Sequence, residues 1–444
     1  MRLHHVFRSL PALVAAAMIV ASVPLTAPAA AAPGDASSVV PTGSPAATTT
    51  PAPDQSCPHR ATPPPAVDDS ETVAPGDTTP APLPVPAAPV GGNRLGDCGV
   101  IADPAAGPTP ADLTSQGWLI ADLDSGHIIA TQDPHGRFRP ASTIKTLLAL
   151  VALEDLDLNK PVEDNARDWS MEGDACGVGP GGKYTIRDIV TGLLVVSGND
   201  CANILARELG GYDETLAKMN AKAKSLGALD TRAASPSGLD AAGMSTSPYD
   251  LAVIFRAGMR NPEFAKLVST KTYEFPGYPP RKDVPGDENH PAYLMQNSNS
   301  LLVQGVPGMT ILGGKTGYTD DAKKTFVGAA ERDGRKILIV QMYGLTEGTN
   351  TYHDQAVRMF EYGFAAPASV SVGTLDNPAA QHAHLTATQT RAAPSGSDSL
   401  ALGVLPAVLI IVVVLAGAAL LVFAIRRHRR RASVPGDDTT GSEQ

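Results

Sequence analysis

A chain of 444 residues, 43% of them hydrophobic and 18% charged, holds enough apolar material for a sizeable core, which excludes a wholly disordered protein. Its 39 prolines and 42 glycines are unevenly spread, so tails are expected beside a domain. The formal charge of −10 includes five arginines crowded into 426–431; the remainder is more acidic still, which argues against nucleic-acid binding.

Residues 1–32 carry Arg2 and Arg8, an apolar stretch from about Leu10 to Val23, and small residues at 27–32, the pattern of a secretory signal peptide. The arm 33–108 is rich in Pro, Ala, Thr and Gly without apolar periodicity, and is expected to be extended and poorly ordered. The four cysteines, Cys57, Cys98, Cys176 and Cys201, lie in the segment expected to be exported, where disulfides form. They allow three pairings. Cys57–Cys98 with Cys176–Cys201 is favoured, since the first would loop the far part of the arm back and the second would brace a loop. The lack of any Cys-x-x-Cys argues against zinc, and no metal or cofactor is called for.

The main domain is expected over 109–366. Residues 118–122 and 127–131, joined through Asp124-Ser-Gly126, predict a β-hairpin. The run 143–153 is apolar nearly all round, which predicts a buried central helix. Further helices are predicted over 185–196, 200–209, 212–226 and 247–259, with Thr185 and Asp188 as an acidic capping box. A loop is expected over 271–299. Strands follow at 310–317, 325–332 and 336–342, then a helix at about 352–364. Strands from both chain ends around a mostly helical block imply an α+β fold with an antiparallel sheet. Beyond it, 367–400 reads as a polar tether. Residues 401–425 have the length and apolarity of one transmembrane helix, and the arginines behind them mark 426–444 as a cytoplasmic tail. The domain would then lie on the outer side.

Three clusters carry chemistry. Ser142 and Lys145 stand one turn apart at the start of the buried helix. A lysine in that setting is pushed towards its neutral form and can serve as a base to the serine. Ser197-Gly-Asn199 lies in the break between two helices, with Ser197 able to relay a proton and Asn199 able to accept from a lysine. Lys315-Thr-Gly-Tyr-Thr319 alternates with glycines on an edge strand, where a ligand backbone could lie close. A phosphate loop is excluded there, because its first glycine would have to occupy position 309, which is Met309.

S-x-x-K, S-x-N and K-T-G in this order resemble the serine penicillin-recognising enzymes. Within them the chain is similar to the low-molecular-mass D-alanyl-D-alanine carboxypeptidases of the peptidase S11 type, above all actinobacterial members. Arg139-Pro-Ala-Ser142, Val196-Ser-Gly-Asn-Asp200, Pro236-Ser-Gly-Leu239, Ser245-Thr-Ser-Pro-Tyr-Asp250 and Gly313-Gly-Lys-Thr-Gly-Tyr-Thr-Asp320 carry the likeness, which spans about 112–364. It implies a penicillin-binding-protein transpeptidase/β-lactamase-like fold. It also implies a membrane-anchored enzyme, single-pass in a bacterial plasma membrane, that removes the terminal D-alanine from peptidoglycan stem peptides and is acylated by β-lactams. Ser142 would be the nucleophile and Lys145 its base. Ser197 would pass the proton on, Asn199 would hold the peptide, and Lys315 with Thr316 would meet the terminal carboxylate. Gly317, Tyr318 and Thr319 would line the substrate, with the N–H groups of Ser142 and Tyr318 around the oxyanion. A DD-endopeptidase or transpeptidase, or a sensor acylated without turnover, are the competing functions.

Two departures stand out. Some relatives carry an arginine soon after the last strand, but no Lys or Arg occurs between Lys336 and Arg358. No E-x-x-L-N follows Asn199, which argues against efficient antibiotic hydrolysis.

Overall fold

The computed structural model describes residues 57–163 and 165–376. In chain order these form β1 (Val100–Ala102), β2 (Gly117–Asp122), β3 (His127–Gln132), a 3₁₀ turn (Ala141–Ile144), α1 (Lys145–Asp155), β4 (Pro161–Val162) and β5 (Tyr184–Thr185). The helical block continues with α2 (Ile186–Val195), α3 (Asn199–Glu208), α4 (Tyr212–Leu226), α5 (Pro248–Met259) and α6 (Pro262–Val268). Then come β6 (Thr272–Phe275), β7 (Tyr293–Gln296), α7 (Ser300–Gln304), β8 (Thr310–Thr319), β9 (Lys323–Arg332), β10 (Arg335–Gly344), α8 (Tyr352–Ala365) and β11 (Gly373–Thr374).

The central sheet has seven strands in the order β1-β3-β2-β10-β9-β8, with β11 also on β3. Every pairing is antiparallel. Chain ends meet where β2 pairs with β10, Leu119 opposite Val340. This is the α+β architecture expected. Alternating side chains send Leu119, Ala121, Leu338 and Val340 into the core shared with α1, α2 and α5, while Ile120, Ile337 and Ile339 pack under α8. Within α1 every residue from Lys145 to Ala152 is buried, so that helix runs through the centre of the block. The capping box of α2 forms as expected, Thr185 accepting from the Asp188 N–H and Asp188 accepting from that of Thr185.

Two expectations are corrected. The loop over 271–299 contains the hairpin β6–β7, Thr272 facing Gln296, which the surrounding Pro, Asn and Gly residues conceal. From Cys57 onward the arm is packed onto the domain, so the domain begins well before 109. Arg137 is 1% exposed and donates to the carbonyls of Ala61, Leu83 and Pro84 at 2.8, 2.6 and 3.0 Å. Arg139 pairs with Glu71 through two nitrogens, one at 2.7 Å, and donates to the Pro64 carbonyl at 2.7 Å. Leu95 is fully buried, and β1 extends the sheet by pairing with β3. At the other end β11 does the same beyond 366.

The cysteines meet in the two favoured pairs, with Cα separations of 5.3 Å for Cys57–Cys98 and 6.3 Å for Cys176–Cys201, within disulfide reach. Among the described residues no helix is long and apolar enough to cross a membrane. The expected signal segment, the start of the arm, most of the tether, the span 401–425 and the tail lie outside the described residues.

Arg139 is 3% exposed, so removing Glu71 would leave a buried guanidinium with one carbonyl and a more distant carboxylate, that of Asp321 at 3.9 Å. Glu71→Ala is therefore expected to cost about 2 kcal/mol, short of a fully buried pair because Glu71 is 22% exposed. A lowered denaturation midpoint, with faster proteolysis confined to the arm, checks it; an unchanged midpoint would mean the arm adds nothing to stability.

Candidate active site

The nucleophile candidate sits on a tight turn rather than inside a helix. Ala141 takes a left-handed φ of 47°, and the 3₁₀ turn delivers Ser142 immediately ahead of α1. The Pro140 carbonyl, capped by the Thr143 and Thr325 hydroxyls at 2.6 and 2.8 Å, ties this turn to β9. Gly317 on β8 then comes close: a Cβ there would lie 2.8 Å from the Ser142 nitrogen. Gly238 is equally constrained, with φ of 89° and a Cβ that would meet the Ala141 carbonyl oxygen at 2.0 Å.

Lys145 is wholly buried, and its Nζ lies 2.7 Å from Ser142 Oγ, 2.7 Å from Asn199 Oδ1 and 2.6 Å from the Ser237 carbonyl. Burial, and then the neighbouring Lys315, hold its pKa well below the usual lysine range. A neutral amine has two N–H groups and one lone pair. Two of its contacts are oxygens that can only accept, so the lone pair is left for the Ser142 hydroxyl. The hydrogen-bond inventory alone therefore points the serine proton at the amine.

Ser197 lies between α2 and α3 with φ of 66°, a conformation that turns its hydroxyl towards β8. Lys315 Nζ donates to it at 3.0 Å and to the Thr316 carbonyl at 2.7 Å. Lys315 is also buried, and burial lowers its pKa to about 7 against the opposing pull of Asp174. The structure thus brings these five residues together in two hydrogen-bonded sets, Ser142–Lys145–Asn199 and Lys315–Ser197. Thr316, Gly317, Tyr318 and Thr319 line a cleft of about 520 Å³ around them. Tyr318 is 57% exposed at its rim.

Asn199 accepts from the lysine as expected, but one of its amide N–H groups is already used by the Glu172 carbonyl at 2.6 Å. That contact belongs to a loop the sequence patterns did not single out. Asp200 accepts from the N–H groups of Cys176, Gly177, Val178 and Cys201 at 2.8, 3.0, 3.3 and 2.7 Å, and Tyr293 donates to the Cys176 carbonyl at 2.7 Å. Through this loop Asp174 reaches the cleft. Also missed were the Ser237 carbonyl, Lys324 and His353. The β8–β9 register puts Lys324 directly opposite Tyr318, its Nζ 5.4 Å from the ring centre. His353 lies against Ser300 Oγ at 3.1 Å, its pKa lowered by burial and then by Lys324. Lys324 and His353 both line the cleft, so the positive charge there comes from Lys324 on β9, with His353 favouring its neutral form.

The family model described as D-alanyl-D-alanine carboxypeptidase (Peptidase_S11) matches residues 104–346. D-alanyl-D-alanine carboxypeptidase DacB2 of Mycobacterium tuberculosis is 50% identical over 274 residues, 61% of this chain and 89% of that one. D-alanyl-D-alanine carboxypeptidase DacF of Bacillus subtilis is 27% identical over 253 residues, covering 56% of this chain and 61% of its own. The crystal structure of a D-alanyl-D-alanine carboxypeptidase from Mycobacterium tuberculosis H37Rv superposes with a TM-score of 0.56 at 46% identity, over 62% of this chain and 99% of that one. For the Streptomyces K15 DD-transpeptidase the values are 0.51, 25%, 58% and 99%.

Asp200→Ala would leave four N–H groups without their acceptor and is expected to cost about 3 kcal/mol. Hydrogen exchange should accelerate first across 172–178. Loss of stability with that loop still protected would contradict the loop's dependence on Asp200.

Proposed function

Starting from the fact that the chain belongs to the D-alanyl-D-alanine carboxypeptidase family of serine peptidases, we propose how its own residues divide the reaction. The protein is a serine-type D-alanyl-D-alanine carboxypeptidase, acting on peptidoglycan stem peptides and acylated by β-lactams. The observation that carries the mechanism is the geometry at Lys145 Nζ, whose free lone pair faces Ser142 Oγ at 2.7 Å.

Ser142 Oγ attacks the carbonyl carbon between the two D-alanines while its proton passes to Lys145. The carbonyl oxygen takes the negative charge beside the N–H groups of Ser142 and Tyr318. Collapse breaks the C–N bond, and the proton travels from Lys145 by way of Ser197 to the amine of the leaving D-alanine. Water then attacks the ester and restores Ser142. Lys315 and Thr316 hold the terminal carboxylate, with Lys324 adding positive charge from the cleft wall. Asn199 holds the peptide on the other side through the amide N–H that the Glu172 carbonyl leaves free.

The reaction is placed outside the plasma membrane, with 401–425 as anchor and Cys57–Cys98 and Cys176–Cys201 as disulfides. The apolar span with its arginine-rich flank, the signal-like start and the two cysteine pairs at bonding distance support this placement.

Ser142→Ala is expected to abolish both labelling by a fluorescent penicillin and D-alanine release from diacetyl-Lys-D-Ala-D-Ala. Labelling that survives the substitution would place the nucleophile elsewhere. The pH dependence follows from Lys315, whose free-enzyme pKa is about 7. A lysine carries its charge below its pKa, so attraction for the carboxylate is full on the acid side and lost above about 7. kcat/KM should fall on that alkaline limb, and the limb should vanish with a substrate whose terminal carboxylate is amidated. Lys324→Ala is expected to raise KM about two- to fivefold with little change in kcat.

A further inference from the structure

Asp174 is an exposed carboxylate lining the cleft above two buried lysines whose proton affinity it raises, and its side chain makes no hydrogen bond or ion pair among the described residues. For an enzyme whose substrate ends in a carboxylate, a negative charge here works against binding. The loop does not need it for support either. Its anchors are the Asp200 carboxylate, Tyr293 and the backbone, including the Asn199 N–H to the Asp174 carbonyl at 2.6 Å.

The position of Asp174 is nonetheless fixed. Gly173 has φ of 88°, and a Cβ there would lie 2.6 Å from Asn199 Nδ2, so the backbone rests directly on the Asn199 amide. Two hydrogen-bonded sets serve the cleft: Lys315 with the Thr316 carbonyl and Ser197, and Lys145 with Ser142 and Asn199. The Asp174 loop continues past Asn199. If the terminal carboxylate lies at the Lys315 end, the residue preceding the two D-alanines leaves the cleft on the Asn199 side. In stem peptides that residue is a diamino acid, whose side chain ends in an ammonium group.

We propose that Asp174 forms a subsite for this free side-chain ammonium, so that the enzyme prefers stem peptides whose diamino acid is neither acylated nor cross-linked. The inference rests on the carboxypeptidase reading above and names the substrate form that this site selects. A carboxylate paired with an ammonium at the mouth of a cleft, partly shielded from water, discriminates against the neutral acylated form by about three- to tenfold. The preference also gives the cleft a direction, with a cation wanted at one end and an anion at the other.

The test compares kcat/KM of the full chain on Nα-acetyl-Lys-D-Ala-D-Ala and on diacetyl-Lys-D-Ala-D-Ala. The wild type should favour the free amine about fivefold, mainly through KM. In Asp174→Asn the ratio should fall to near one, and in Asp174→Glu it should stay above one. Because Asp174 also raises the proton affinity of Lys145 and Lys315, its loss will alter the pH profile, but alike for both peptides. The ratio therefore isolates contact with the ammonium. A wild-type ratio near one, or a ratio unchanged in Asp174→Asn, overturns the subsite. Release of D-alanine from neither peptide by the wild type would instead overturn the function on which it rests.

Discussion

Lys145 stands at the first turn of a helix whose next residues, Thr146 to Ala152, are all buried, so its amine must be accommodated inside the protein rather than extended to water. A charged amine there is costly, and a neutral one is nearly free if its two N–H groups and its lone pair each find a partner. The Asn199 oxygen and the Ser237 carbonyl take the two N–H groups. What remains is a base aimed at Ser142. The site's other features follow from keeping that arrangement in place: the break between α2 and α3 that presents Asn199, the Gly238 turn that lets the Ser237 carbonyl approach, and the tight Ala141–Ser142 turn.

Lys315 complicates this picture in a useful way. Two ammonium groups cannot both be charged at close range in a core, and the interaction depresses the more deeply enclosed Lys145 in particular. Lys315 is itself held near neutrality, half charged at about pH 7, until an anion arrives. In the proposed reaction, binding the substrate carboxylate would favour the charged form of Lys315, which in turn would favour the neutral form of Lys145. Substrate recognition and activation of the base would thereby be one electrostatic event. Asp174 raises the proton affinity of both lysines, so it supports the charging of Lys315 but opposes the neutral form of Lys145, and a substrate ammonium placed against it would weaken that pull on Lys145.

Much of this was legible in the sequence because short-range rules were obeyed. Helix limits were marked by Thr185 with Asp188 and by Ser247-Pro248, and the strand pattern around Asp333-Gly334 gave a true hairpin. The three motifs met in space because the first two lie at breaks in helical structure that face the edge strand β8, which carries the third. What was hidden depends on long-range contact. Lys324 becomes a cleft residue only through its register opposite Tyr318, and Asp174 only because Asp200 gathers the loop's N–H groups. The β6–β7 hairpin was obscured by loop-like composition. Ser237 acts through its carbonyl, which no side-chain pattern can announce.

The proline-rich arm was misjudged for a related physical reason. Composition without apolar periodicity reads as an extended, poorly ordered arm over 33–108, looped back only through its cysteine pair. Prolines still present carbonyl acceptors, and a guanidinium offers five donors in a rigid fork. Arg137 gathers the carbonyls of Ala61, Leu83 and Pro84 from the arm, and Arg139 gathers that of Pro64 together with the Glu71 carboxylate. Both arginines lie in the few residues leading to Ser142. The arm is therefore bound to the stretch of chain whose turn sets Ser142, the proposed nucleophile, so packing of the arm bears on geometry at the cleft. An arginine pair just before a catalytic turn, facing a segment poor in donors and rich in free carbonyls, is the sequence signal that would have revealed the contact.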